Sequence, residues 1–340
     1  MLEIDGAVGE GGGQTLRTAL TLSVASGTAF HVTGIRARRP RPGLRLQHLA
    51  AVRAAAAIGA AEVEGDEVGS SQVTFSPSDR VGGRHWVDVG SAGSACLVLQ
   101  TVVPALALAA EPSEIVVTGG THNRAAPPYD FLAHTYLPVL ERLGPRVGAR
   151  LERHGFEPVG GGRITVTVAP APSLRRLELL ERGAIVERRA RALLSRLPAR
   201  IGERELAVVA ERLGWTDEEL SVEAVAADGP GNVLLLEVGC ETLTEVFTGF
   251  GRRGKPAEAV AADAVAATRR YLDAGIPVGS HLVDQLLVPL ALGAGGSFVT
   301  GSPSAHLTTN AEVIRRFLGV SVDIEPLTSI RTRIEVRPGA

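Results

Sequence analysis

The sequence predicts an α+β protein, with a large domain of three repeated α/β units (helices packed on mixed sheets) and a smaller inserted α+β domain. Two repeated markers and one interruption carry this prediction. The triplet Val-Thr-Gly occurs at Val32–Gly34, Val117–Gly119 and Val299–Gly301, at separations of 85 and 182 residues. An amphipathic helical stretch ending in an apolar residue and glycine, followed by strand-like alternation, recurs at Ile58–Gly59, Leu143–Gly144 and Leu318–Gly319, separated by 85 and 175. Both markers give the same first period and a second period longer by about 90 residues, the size of a small separate domain.

Each unit reads in order as a glycine-rich turn, a helix, the V-T-G strand, a loop, a second helix and a hairpin. Residues 1–180 plus 277–340 form the large domain and residues 181–276 the insert. The insert is entered through the charged run Arg175–Arg182 and left through the turn Ala274–Gly279. Within it, Gly202–Leu213 and Ala257–Ala274 have helical periodicity, while Leu220–Ala226, Val233–Glu241 and Glu245–Phe250 alternate like strands.

Composition narrows the function classes. With 340 residues, 45% hydrophobic and 21% charged, the chain has ample core material, which excludes wholesale disorder. The longest apolar stretch, Ala95–Ala110, is broken by Gln100 and Pro104 and is shorter than the ~20 residues of a membrane span. The first residues carry acids where a secretory signal carries bases. A soluble cytoplasmic protein with no membrane partner is expected. Two lone cysteines, Cys96 and Cys240, form neither a metal cluster nor a disulfide framework. The single lysine, Lys255, stands in GFGRRGKP (Gly249–Pro256), which matches G-x-x-x-x-G-K; Pro256 replaces the hydroxyl residue a P-loop needs, so a glycine-rich turn between strand and helix is expected.

Net charge is −2, yet Gly11–Ala61 contains no acid and seven arginines, five of them within Arg36–Arg45. That asymmetry points to a local anion site suited to phosphate groups. The loops after the three V-T-G strands, Ile35–Pro42, Thr121–Pro128 and Ser302–Asn310, hold equivalent positions and are expected to converge on one cleft. The helices before them carry polar residues in apolar runs at matching places: Gln14 and Arg17, then Gln100, then Asp284 and Gln285. His306, in the third loop, is the candidate nucleophile. A neutral imidazole, with an unperturbed pKa of about 6.5, is competent near neutral pH, and a carboxylate such as that of Asp284 can orient such a ring.

The motifs GEGGGQTLRTAL (Gly9–Leu20), RPGLRLQHL (Arg41–Leu49), GSAGSACLVLQTVVPAL (Gly90–Leu106), RHGFEPVGGG (Arg153–Gly162), DQLLVPLAL (Asp284–Leu292) and HLTTN (His306–Asn310) occur in order over nearly the whole chain. Together they resemble the RNA 3′-terminal phosphate cyclases. The resemblance implies an ATP-dependent conversion of an RNA 3′-phosphate end into a 2′,3′-cyclic phosphate, with release of AMP and diphosphate. It implies that His306 is adenylylated, that AMP passes to the RNA phosphate, and that the neighbouring 2′-hydroxyl then expels AMP. Glu10 matches the acid that binds a divalent magnesium or manganese ion. Arg17, Arg36, Arg39, Gln47, Gln100, Asp284 and Gln285 match polar residues around the nucleotide and RNA phosphates, and Pro127 falls where the adenine is flanked. His281 departs from the family, which carries Tyr there, stacked on the adenine. Two alternatives stay open: a non-catalytic relative serving RNA binding or ribosome assembly, against which His306 argues, and an enolpyruvyl transferase, which would use lysines for its anionic substrates. A homodimer is compatible with the sequence. The insert carries none of the catalytic motifs and is expected to lie outside the catalytic centre.

Overall fold

A computed structural model of the chain describes residues 1–9 and 11–339. The first unit runs β1 (Leu2–Asp5), α1 (Gln14–Ser26), β2 (Phe30–Thr33), α2 (Leu46–Gly59), β3 (Glu62–Glu64) and β4 (Val73–Ser76). The second runs β5 (Gly83–Asp88), α3 (Ala95–Leu106), β6 (Ser113–Gly119), then α4 (Tyr129–Phe131), which continues through a π turn into α5 (Leu137–Glu141), then β7 (Arg146–Arg153) and β8 (Gly162–Ala169). β9 (Leu177–Leu179) follows. A four-stranded sheet with two helices then intervenes: β10 (Ile185–Ser195), α6 (Arg200–Leu213), β11 (Leu220–Ala224), β12 (Gly231–Cys240), β13 (Thr244–Phe250) and α7 (Ala257–Ala274). α8 (Ser280–Ala291), β14 (Gly296–Thr300), α9 (Ala305–Leu318), β15 (Ser321–Pro326) and β16 (Thr332–Arg337) close the chain.

Three sheets share one topology. Their orders are β1-β2-β4-β3, β5-β6-β8-β7 and β9-β14-β16-β15. In each, the first strand pairs parallel with the V-T-G strand, and the rest is antiparallel. The opening strands β1, β5 and β9 are absent from the unit as read from the sequence. They are short or interrupted by charged residues, so their alternation is weak. β10 is hidden for the same reason: its first half, Ile185–Arg189, is exposed and mostly charged, and only its second half enters a core.

The fourth sheet, in the order β11-β10-β12-β13, is fused to the rest chiefly through β12, a strand with two buried faces, with Leu193 of β10 and Val246 of β13 entering the same core. All ten residues of β12 are buried. Val233 and Leu235 belong to the core shared by the three units, whereas Leu234, Leu236 and Val238 pack with Leu206 and Val209 of α6 and Ala261, Ala264 and Val265 of α7. Alternation of side chains along a strand makes this division automatic. A strand buried on both sides reads as one apolar run, which is the VLLLEV of this sequence.

Buried charges fix the same junction. The Arg191 guanidinium of β10 bonds both Asp130, in α4, and Glu237 Oε1, the latter at 2.6 and 2.9 Å. His122 Nε2 lies 2.8 Å from the other Asp130 oxygen, and His134 Nδ1 lies 3.0 Å from Glu237 Oε2. Burial alone would raise the Asp130 carboxyl, but the His122 hydrogen bond and the Arg191 charge outweigh it and hold it well below the usual range. Glu237 is held low in the same way by His134 and Arg191, against its own burial. Among the described residues, Asp130, His134 and Glu237 are close enough to share a metal ion. Arg191 already supplies the cation there.

Both carboxyls titrate below their unfolded values, so their contribution is complete at neutral pH and fades as pH falls toward the folded pKa values. Arg191→Met leaves two buried carboxylates without their cation. Urea unfolding at pH 7 should show a loss of about 3–5 kcal/mol, and the deficit should narrow on acidification as the orphaned carboxyls take up protons. A loss under about 1 kcal/mol at pH 7 would show that the network does not hold the junction.

Candidate active site

The first helix of each unit faces the same hollow. α1, α3 and α8 line a cavity of about 440 Å³ with Gln14 and Arg17, with Gln100, and with His281, Asp284 and Gln285. His306 and Ser304 from the start of α9, and Arg124 and Pro127 from the loop after β6, complete much of the wall. Eight of the residues singled out in the sequence therefore meet in one place: Gln14, Arg17, Gln100, Pro127, His281, Asp284, Gln285 and His306.

Gly13 is the N-cap of α1, and no side chain among the described residues caps it. A Cβ at Gly13 would stand 2.5 Å from His48 Nε2 and 3.0 Å from Arg17 Nη1, so a glycine is required where these two groups close over the helix start. Arg17 donates through Nη2 to Gln14 Oε1 at 2.6 Å. Burial brings its pKa down to about 10, against the pull of Asp284. On α3 and α8 the Gln100 Nε2 and Gln285 Oε1 atoms are buried without a hydrogen-bond partner among the described residues. Unsatisfied amides in a cavity wall are donors and acceptors left for a ligand.

His306 does not lie in a loop as the sequence suggested. The loop after β14 ends at Ser304, which caps α9 by accepting the Leu307 N–H at 3.1 Å, and His306 stands in the first turn. Unpaired N–H groups and the dipole at a helix start favour negative charge close to that imidazole. The Ser304 hydroxyl also donates to Asp284 Oδ1 at 3.4 Å. Burial lifts Asp284 to about 6, with His306, Ser304 and Arg17 all acting to lower it. His281 keeps an exposed face and sets its edge against Phe131, with ring centroids 6.1 Å apart.

Arg36, Arg39 and Gln47 do not line this cavity. Arg36 Nη1 donates to the carbonyls of Arg41 and Gly43 at 2.6 and 3.1 Å, closing its own loop around a left-handed residue at φ 54°. Gln47 Oε1 accepts the N–H of Ser94, the cap of α3, at 2.7 Å, and Arg39 is exposed. Glu10 lies outside the described residues. The acid-free segment nonetheless builds a cation cluster beside the cavity. His48 Nδ1 accepts the Arg45 N–H at 3.3 Å, which leaves the ring proton on Nε2. Burial, then Arg17, Arg36 and Arg45, drive the His48 pKa down to about 3.

The intervening sheet is not outside the site. Thr248 and Phe250 of β13 line the cavity. Glu245 of the same strand accepts the Gly279 N–H at 2.6 Å where α8 begins, and a Cβ on Gly279 would come within 2.8 Å of its carboxyl carbon. Burial pushes Glu245 up to about 8, so a neutral carboxyl rests against the start of the helix that carries Asp284 and Gln285. Sequence reasoning missed His48, Arg124, Thr248, Phe250 and Glu245. Only His48, inside RPGLRLQHL, had a signal, as a histidine within an acid-free arginine-rich run.

The family model described as RNA 3′-terminal phosphate cyclase matches residues 8–324. A protein of Koribacter versatilis named RNA 3′-terminal phosphate cyclase is 49% identical over 325 residues, covering 95% of this chain and 92% of its own length. Relatives of the same name from Ectopseudomonas mendocina (46% identical; 99% and 98% covered) and Salmonella typhimurium (47% identical; 97% and 97%) align equally completely. The solved structure of the enolpyruvyl transferase NikO from Streptomyces tendae aligns at 12% identity with a TM-score of 0.36. That alignment covers 98% of this chain and 48% of that one. No helix among the described residues is long and apolar enough to cross a membrane.

A histidine titrating near 3 is neutral throughout the physiological range, and the unfolded chain takes up the proton first as pH falls below about 6.5. His48 therefore subtracts stability on acidification from that point downward. Two-dimensional NMR of ring nitrogens should show His48 as a neutral Nε2–H tautomer, unchanged between pH 8 and 5. A titration in that window would mean that the three arginines do not surround it.

Proposed function

The chain belongs to the RNA 3′-terminal phosphate cyclase family, and from that premise we propose that it cyclises RNA 3′-phosphate ends with ATP through an adenylyl-His306 intermediate. The observation that carries this reading is the meeting of His306, Arg17 and the two unsatisfied amides of Gln100 and Gln285 around one cavity. In the first step a ring nitrogen of His306 attacks the α-phosphorus of ATP. A P–N bond forms, the bond from that phosphorus to the bridging oxygen breaks, and diphosphate leaves. An oxygen of the RNA 3′-phosphate then attacks the same phosphorus, the P–N bond breaks, and the imidazole is released. Finally the adjacent 2′-hydroxyl, losing its proton, attacks the activated RNA phosphorus and expels AMP, so that a phosphoric-ester bond is made at the expense of ATP, as in a ligase.

Such transfers depend on positioning and charge neutralisation more than on proton chemistry. Arg17 faces the cavity, and the neighbouring Arg36 and Arg45, beside the neutral His48 ring, add a positive field in a segment with no acid from Gly11 to Ala61. On this reading Arg36 acts at the end of a loop it also braces, Arg39 meets RNA from the exposed rim, and Gln47 acts by fixing the start of α3. Asp284 orients the His306 ring, and Pro127 and His281 flank the adenine. The imidazole of His281 covers less of a base than a phenol ring does. Asp284 is the single carboxylate among the described lining residues, so the cavity can share a divalent cation with phosphate oxygens only if another acid joins it. Glu10 would be that acid for magnesium or manganese, and the bound ion would neutralise phosphate charge.

Incubation with ATP labelled at the α-phosphate should leave acid-labile AMP on the protein, located at His306 by mass spectrometry and absent from His306→Asn. Label on Lys255, or undiminished label in His306→Asn, would overturn the mechanism.

A further inference from the structure

Two motifs take little part in the site around His306: the segment Arg153–Gly162, and the glycine-rich run Gly249–Pro256, of which only Phe250 reaches that cavity. They fold against each other. A second cavity of about 810 Å³ is walled by Phe156, Glu157 and Pro158 from the first motif, by Arg252, Arg253 and Lys255 from the second, and by α6 and the start of β12. Arg124 and Phe250 line both this cavity and the one that holds His306, so the two hollows share a wall.

The charges of this second cavity are unequal. Five cations line it, Arg124, Arg204, Arg252, Arg253 and Lys255, against two acids, Glu157 and Glu205. Arg124 is paired with Glu157 at 3.8 Å, Arg204 with Glu258 at 2.8 Å and Lys255 with Asp263. Arg252 and Arg253 are exposed and have no ion-pair partner among the described residues. The run joins β13 to α7, the context of a phosphate-binding loop, but Lys255 is taken by Asp263 and Pro256 stands at the helix cap. A P-loop grip on one triphosphate is therefore not built here. What is built is a wall of two free guanidinium groups beside flat apolar faces, those of Phe250, Pro158, Pro230 and Pro256. That combination fits a single-stranded polynucleotide, whose phosphates meet cations and whose bases pack on flat apolar faces.

We propose that the 810 Å³ cavity is the path of the RNA strand upstream of its 3′ end, with Arg252 and Arg253 on its phosphodiester groups. The inference rests on the reading of RNA 3′-phosphate as the substrate: a terminal phosphate held at His306 must send the rest of its strand out of the first cavity, and of the hollows that share wall residues with it this one carries the excess of cations.

The test is equilibrium binding by fluorescence anisotropy, without ATP, of 5′-labelled single-stranded RNAs ending in a 3′-phosphate. Strands of two and of ten nucleotides are titrated with the full-length wild type and with Arg252→Ala/Arg253→Ala. The ten-mer should bind the variant about tenfold or more weakly, and the slope of log affinity against log salt should flatten by about 1.4, since each phosphate of a single strand that is no longer neutralised removes roughly 0.7. The dinucleotide should bind both proteins alike, and Arg252→Lys/Arg253→Lys should recover most of the slope. Ten-mer affinity and slope unchanged in the alanine variant would overturn the strand path while leaving the reading of the first cavity intact. Equal losses on both lengths would also overturn it, because the pair would then be acting on the terminal site. Failure of both RNAs to bind the wild type would overturn the substrate reading and this inference with it.

Discussion

One buried amide holds the cavity together. Asn310, fully buried on α9, accepts a hydrogen bond from the Thr18 hydroxyl of α1 at 2.8 Å and donates to the Asp284 carbonyl of α8 at 3.2 Å. The Thr21 hydroxyl extends the tie by donating to the Thr101 carbonyl of α3 at 2.6 Å. The first helices of three different units are thereby fixed in rotation as well as distance, which apolar packing of Leu16, Leu20, Leu99 and Leu286 alone does not do. Their polar residues then have one place to point. A helix turned by one residue would carry Gln100 or Gln285 into the core, where an unsatisfied amide costs about 1–3 kcal/mol.

Around that frame the electrostatics follow from placement. Arg17 lies near both an acid, Asp284, and a group of cations, so it links the histidine side of the cavity to the arginine-rich side. Burial disfavours the charged form of each group there: Arg17 falls to about 10, His48 to about 3, and Asp284 rises to about 6. Polyanionic ligands reverse that tendency for the cations, so part of the cost of gathering them is offset on binding. The intervening sheet contributes on the opposite side, through Thr248 and Phe250 in the wall and Glu245 beneath α8, and the two-sided burial of β12 keeps those groups in register.

Much of the site is legible in the sequence because its signals stand against a plain background. Gln14, Arg17, Gln100, Asp284 and Gln285 interrupt apolar helices, and a polar residue there needs either a partner or a cavity. The V-T-G triplets mark strands that occupy the same place in three sheets. Arg36 and Gln47 show the limit: composition announces their chemistry but not which backbone groups they already satisfy, here the Arg41 and Gly43 carbonyls and the Ser94 N–H. The first turn of α9 reads as loop, since Ser-Pro-Ser and two threonines outweigh a helix whose apolar face begins only at Leu307. Glu245, Thr248 and Phe250 give no local hint, because their place in the site depends on how a distant strand docks.

The central claim, that the three units converge to make one nucleotide site, is tested most directly by a crystal structure with a non-hydrolysable ATP analogue. The expected result has the α-phosphorus about 3–3.5 Å from a His306 ring nitrogen, the Gln100 and Gln285 amides satisfied by the nucleotide, and the adenine between Pro127 and His281. Nucleotide bound instead along Arg252 and Arg253, or bound in the first cavity with its phosphates away from His306, would contradict it.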